Sequence, residues 1–419
     1  MKNIIKLISI SLLQYCLMFT VNAQDAGNYA ATALKLSNTY SGGSARMMGL
    51  GGAQTALGGD ISSASSNPAG LGFFNRSEFS FSPTINVINS SSSYLDNSQV
   101  LDSKLNLNFA NLGIVFNKSK GDLVQSKWRG GSFAFTINRI ADFQNKYSYE
   151  GASFNQKDSE GNLILDANRP KDFIEYAVLS TVLNENGEID SDLNNPFVTL
   201  AYETFLIDAF PTDNGNIVDR DIYATDENGT LIVDADGFYI PAFPEENFKT
   251  RQSESVNTRG GIYRYSLAYG GNYADRLYFG ASLGILSVDQ EVERIYMEEP
   301  SQSTLERLTL IDNYAVGGTG VNATLGIIGR PAPFLLVGLS YTTPSFYRLR
   351  QSQELYLEAA YTGSTNYRES FHEWTVEIEP SRYSVRTPAK VNAGITAFFG
   401  KVGFITAEVE QLNYSSQAA

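Results

Sequence analysis

Of the side chains that most often do chemistry, the 419-residue chain has one His, His372, and one Cys, Cys16. Zinc sites, disulfide frameworks and multi-His metal centres all need more than that. His372-Glu373 lacks the second His four residues on that a zinc-protease helix requires. Between Phe371 and Trp374 it reads as a loop or strand-edge residue rather than the base of a nucleophilic Ser. Asp226, Asn228 and Gly229 superficially suggest a calcium loop. With Gly229 at its sixth position, however, the first and twelfth are Ala224 and Ala235, where carboxylates are essential. Gly49-Leu50-Gly51-Gly52 and Gly58-Gly59 are followed by no Gly-Lys-Ser/Thr and preceded by no strand, so they form no phosphate cradle. These residues specify no enzyme, and neither a metal nor a cofactor is expected.

The elements that would carry a function must be read from pattern. A net charge of -14 argues against nucleic acid as a partner, which needs a basic footprint. At 42% hydrophobic and 18% charged the chain is neither disordered nor composed like a charged soluble enzyme. Lys2 and Lys6 flank the start of an apolar stretch that ends at Val21-Asn22-Ala23. This predicts a secretory signal over residues 1–23, cleaved before Gln24. The mature chain then holds no Cys, as suits a bacterial envelope protein. Beyond residue 23 no apolar run approaches the ~18 residues of a spanning helix.

Period-two alternation dominates the rest. Phe79, Phe81, Ile85 and Val87 alternate with Ser80, Ser82, Thr84 and Asn86; Phe133, Phe135 and Ile137 with Ser132, Ala134, Thr136 and Asn138. Leu277, Phe279, Ala281, Leu283 and Ile285 oppose Tyr278, Gly280, Ser282 and Gly284, and Val391, Ala393, Ile395 and Ala397 oppose Asn392, Gly394 and Thr396. A soluble sandwich alternates too, but its outer face prefers Lys and Glu. Here the polar face is Ser, Thr, Asn and Gly, and aromatics recur near strand ends like interfacial girdles. The expectation is an all-β, transmembrane antiparallel β-barrel in the outer membrane of a Gram-negative bacterium, with outer-membrane lipid around it. Strands in lipid must close, because nothing else satisfies their backbone groups.

About eleven strands are countable: near 79–87, 105–116, 132–140, 262–270, 276–288, 314–328, 334–343, 351–361, 372–386, 390–399 and 403–414. One breaks phase. Leu105, Leu107 and Phe109 share one face while Leu112, Ile114 and Phe116 share the other. Either a bulge or kink at Phe109, Ala110 and Asn111 restores the outward face, or Leu105 to Phe109 lies in a loop. Between about Asp142 and Thr258 the alternation stops. That stretch holds 23 Asp/Glu and 7 Lys/Arg, a net of -16, so the remainder is about +2. It predicts an extracellular insertion with a short helix over residues 171–179, another over 196–207, and a hairpin turn at Asn228-Gly229. Its acidity reads as plain solvation or as a lid or binding surface.

Ahead of the first strand lies Gly42-Gly43-Ser44-Ala45-Arg46-Met47-Met48-Gly49-Leu50-Gly51-Gly52-Ala53, followed by Gly58-Gly59-Asp60-Ile61 and then Asn67-Pro68-Ala69-Gly70-Leu71-Gly72. This resembles the N-terminal region of the FadL/TodX family of outer-membrane transporters for hydrophobic compounds, in its Bacteroidetes-type versions. Asn67, Pro68, Ala69 and Gly70 match that family's motif. The resemblance implies a barrel of about 14 strands, its lumen closed by an N-terminal hatch, with sideways release of the cargo through the wall. Independently, Pro68 pushes Asn67 out of helical geometry, and the Asn side chain can pair orphan backbone groups in a non-repetitive segment. A flexible Gly/Ser linker is the other reading, against which stand Met47, Leu50, Leu57, Ile61, Leu71 and Phe74.

The expected organisation is therefore a signal peptide (1–23), a hatch (24–77) and a barrel (78–419), incomplete at its C-terminus, with the acidic insertion at about 142–258. The expected function is uptake of small hydrophobic molecules, fatty-acid-like or aromatic, by a monomer without a cofactor. A general porin, or a surface-binding or adhesive protein anchored by its barrel, are the alternatives.

Overall fold

A computed structural model of the chain describes residues 26–38, 42–95, 99–120, 126–154, 172–212, 215–220, 249–300, 304–361 and 371–414. The signal segment, the Asn228-Gly229 turn and Ser415 to Ala419 lie outside them. Fourteen strands are described: β1 (Glu78–Ser92), β2 (Val100–Ser119), β3 (Trp128–Asp142), β4 (Asn145–Phe154), β5 (Ile207–Thr212), β6 (Gly215–Arg220), β7 (Lys249–Tyr273), β8 (Leu277–Pro300), β9 (Leu305–Ala332), β10 (Leu335–Thr342), β11 (Phe346–Tyr361), β12 (Phe371–Arg386), β13 (Lys390–Phe399) and β14 (Gly403–Leu412). Twelve form one antiparallel sheet curled into a half-barrel, and β5 and β6 form a separate hairpin.

The eleven strands expected from the sequence resolve into nine positions along this arc. Both β3 and β4 pair with β7, end to end, so they are one wall strand broken at Phe143-Gln144. β10 and β11 likewise share β9, while β12 and β13 pair with β11 and β10. The last two breaks hold Pro344 and Pro388, which have no N–H to give a ladder. The strands also run further than the alternation predicted. β4 and residues 249–258 of β7 belong to the wall, so what interrupts it is residues 155–248 rather than 142–258. Among the described residues β1 and β14 each pair on one side only, and the arc is open between them.

The two ends differ. At one, β7 turns into β8 through Ala274 and Asp275, at φ 58° and 57°, the left-handed backbone conformation that suits a tight hairpin between right-twisted strands. β9 to β10 and β13 to β14 are equally short. The longest connections, residues 155–248 and 362–370, lie at the other end.

Alternation sorts the faces inside out. Phe79, Phe81, Ile85, Leu267, Phe279, Leu283, Leu325, Val337, Ile395 and Ile405 are exposed, while Ser132, Thr136, Ser266, Ser282, Thr324, Ser340 and Thr396 are buried. The buried face is covered in three tiers. Nearest the short turns are α2 (Ala45–Gly49) and two 3₁₀ turns (Ile61–Ala64, Pro68–Phe73), where Met47, Ile61 and Leu71 are fully buried, each worth roughly 1.5–3 kcal/mol. Next comes α1 (Ala26–Ser37), whose Ala33 and Leu36 pack with Ile262, Leu286, Tyr347 and Leu349. At the far end α3 (Phe173–Ser180) and α4 (Pro196–Glu203) pack Ile174, Val198 and Leu200 on Leu305, Leu308, Leu355 and Leu357. The expected helix over 171–179 corresponds to α3. That over 196–207 is shorter, because Phe205 takes a φ of 58° and Ile207 begins β5.

Candidate functional site

The segment before β1 is seated on the wall by its own backbone. Asn67 is 1% exposed. Its Oδ1 accepts from Ala69 N at 3.2 Å, capping the second 3₁₀ turn, where Pro68 occupies the first position and needs no N–H partner. Its Nδ2 donates to Thr55 O at 2.6 Å and, at 3.4 Å, reaches Ile327 O on β9 and Leu339 O on β10. Ala69 and Gly70 are buried in the same turn, and Gly70 N donates to Asn67 O while Gly59 N donates to Gly70 O. Asp60 caps the first turn through Ser62 N and accepts from Ser44 Oγ at 2.8 Å.

Wall side chains complete the accounting of backbone groups. Glu408 accepts from Gln54 N and Thr55 N at 2.9 and 2.8 Å; Arg264 donates to Ser65 O at 2.9 Å; Asn117 donates to Phe74 O at 2.7 Å. The approach is close because the wall carries glycines at the contact points. A Cβ on Gly326 would lie 1.8 Å from Asn67 Oδ1, one on Gly280 2.3 Å from the Pro68 carbonyl carbon, and one on Gly338 2.2 Å from Thr55 O. Gly270, Gly280 and Gly326 are direct partners across β7, β8 and β9. In the sequence these glycines are only part of the polar alternation; that they align into a seat emerges from register.

Phe109, Ala110 and Asn111 lie in the middle of β2, which is continuous from Val100 to Ser119, so the loop reading of Leu105 to Phe109 does not apply. Pairing with β1 steps from Ser82↔Asn111 to Pro83↔Phe109, and Ala110 is left without a partner. The extra residue switches the exposed parity from Leu105 and Leu107 (71% exposed) to Phe116. Pairing with β3 ends at the same point. It covers Asn111↔Asn138 to Ser119↔Gly130 and does not continue to residues 100–110. There the β1–β2 hairpin leans across β4 and is held by side chains: Asn86 to Asp142 at 2.5 Å, Ser148 to Asp102 at 2.5 Å, and Lys104 to Asn257 Oδ1 and Thr258 O at 2.7 Å each.

A polar cavity of about 380 Å³ lies between α1, the 3₁₀ turns and the wall. Arg264, Asn322, Tyr347 and Lys390 line it from the strands. Its β3 side is Asn138, Ile140 and Ala141, the residues at which the ladder to β2 stops. His372 is elsewhere, at the start of β12, with the Phe205 ring 4.6 Å from its own. Among the described residues no group of His, Cys, Asp and Glu is arranged to hold a metal ion. No family model, curated protein or solved structure matches the chain.

Proposed function

We propose that the chain is a Gram-negative outer-membrane barrel that takes up small hydrophobic molecules past an N-terminal hatch and releases them sideways between β2 and β3. The carrying observation is that the luminal cavity is lined by Ile140 and Ala141 of β3, just past Asn138, where the ladder to β2 stops. An apolar exposed face over a buried polar one is the pattern of a sheet with lipid outside, since a soluble sheet buries the apolar side. A spanning sheet in lipid must close, so in the membrane the outer edges of β1 and β14 require strands to pair with.

The hatch reading rests on the seat of residues 53–74. Those residues occlude the short-turn end, and the cavity above them is polar, so an apolar solute has no continuous apolar path along the axis. The break at β2–β3 offers one through the wall, where side chains stand in for part of the ladder: Lys104 donates to the Asn145 and Thr258 carbonyls and Ser90 to that of Lys146. No step requires a cofactor, and the hatch, the cavity and the break all come from one copy.

Proteoliposomes loaded with this protein test the proposal by comparing entry of a radiolabelled apolar solute with swelling in small sugars. Selective entry of the apolar solute is expected. Sugar permeation at the rate of an open pore, with no apolar selectivity, would instead favour a general porin.

A further inference from the structure

We propose that the pocket between α3, β4, β7 and β8 at the long-connection end binds an organic cation carrying apolar substituents, an alkyl- or arylammonium. The pocket is about 370 Å³, a size suited to such a molecule. Its walls are rings: Tyr94 and Tyr149 lie 4.8 Å apart, and Phe173, Tyr176 and Phe197 meet edge to face on the opposite side. Ring faces attract cations, and more strongly where water is excluded.

The charges agree with the rings. Asp172, Glu254 and Asp312 line the pocket against a single guanidinium, Arg294, which is exposed at its rim. The Glu254 carboxylate accepts from the Tyr149 hydroxyl, which places a negative charge at the edge of that ring. Beneath the floor Glu298 is 0% exposed. Its Oε1 takes hydrogen bonds from Tyr296 Oη, from Gln252 Nε2 at 2.8 Å and from Phe173 N at 2.9 Å, while its Oε2 has no partner among the described residues. Burial first, and then Glu298 and Glu254, push the Tyr94 hydroxyl above its ordinary range. The three lining carboxylates against one guanidinium make the pocket a place of negative potential. An anion would meet that potential unfavourably, and a neutral ring would gain nothing from it.

The inference is independent of transport: it concerns binding, and either can fail without the other. The full-length protein in detergent is titrated with benzyltrimethylammonium and, separately, with phenylpropionate, following heat and tyrosine fluorescence. The ammonium should bind at least about tenfold more tightly than the carboxylate. Glu254→Gln and Tyr149→Leu should each weaken it about tenfold, while Tyr149→Phe, which keeps the ring, and Glu291→Gln, on the outer face of β8, should hold it within about twofold. Equal affinity for the two probes, no binding of the ammonium, or full affinity in Tyr149→Leu would overturn the proposal.

Discussion

Replacing Asn67 by Ala removes the cap of the Pro68–Phe73 turn and the donor to the Thr55 carbonyl, while leaving every wall strand its ladder. Loss of a cap costs about 0.5–2 kcal/mol, and a buried carbonyl left unpaired costs about 1–3 kcal/mol. The two overlap, because one reorganised segment relieves both, so about 2 kcal/mol is the working figure. That corresponds to about a thirtyfold rise in the population with residues 53–74 lifted from the wall. Amide exchange reads it directly. Gly59 N and Gly70 N are bonded only within the segment, at 3.0 and 2.9 Å, and should exchange about thirtyfold faster. Amides of β7, β8 and β9 should keep their rates, and the protein should still insert. In proteoliposomes the same variant should leak small polar solutes and take up apolar ones at an altered rate. Unchanged exchange at Gly59 and Gly70 together with unchanged leak would refute the argument, leaving the motif a linker.

The other predictions use the same structure. Gly326→Ala should loosen the segment on its own, but less so in an Asn67→Ala background, because its Cβ is aimed at Asn67 Oδ1; additive effects in the double-mutant cycle would contradict the close contact. Deleting Ala110 leaves Pro83↔Phe109 and Ser82↔Asn111 in register and regularises the ladder. The deletion variant should insert normally and take up apolar solutes more slowly, and an undiminished rate would count against sideways release. Burial, and secondarily Asp172, push the Glu298 carboxyl up to about 7 from an ordinary 4.5. The folded state thus holds this proton more tightly than the unfolded one, so its contribution is full below about pH 4.5 and is lost as pH rises through 7. The docking of α3 on β8 should weaken across that window by up to about 3 kcal/mol. In Glu298→Gln, the protection factors of amides 173–180, exchange rates divided into their intrinsic values at each pH, should become flat between pH 5 and 8, and a persisting slope would remove Glu298 as its source.

Fold class was legible because the two sides of each strand face different surroundings, and an alternation of Phe or Leu with Ser or Thr survives in the sequence whatever the register. The odd step from Phe109 to Leu112 was legible for the same reason, since parity cannot change along a regular strand. Parity says nothing about which strands join end to end, so β10 and β11 read as neighbours when they share one position on β9. The outer stretches of β7 to β9 were missed because Arg251, Arg259, Glu291, Glu293 and Glu299 stand where the apolar face would continue. The glycine seat and the tyrosine pocket were invisible for a different reason. Their members come from strands far apart in the chain, and no local spacing connects Tyr94 with Tyr296 or Asn67 with Gly326.

The lengths of β7, β8 and β9, at 25, 24 and 28 residues, carry one more consequence. Their exposed apolar residues occupy only the stretches from about 265 to 273, 277 to 285 and 321 to 327. About 15 residues of each strand continue past that band, which at about 3.3 Å per residue and a tilt near 40° is about 40 Å of height. If lipid surrounds the band, the strands rise above it like a chimney by more than the ~30 Å of a bilayer's hydrocarbon core. Whatever meets the far opening is then selected out in bulk water, beyond the headgroups and beyond the reach of their surface charge, which fades within about 8 Å at physiological salt. Selection at the mouth and passage through the wall would be separated in space, each free to change without disturbing the other.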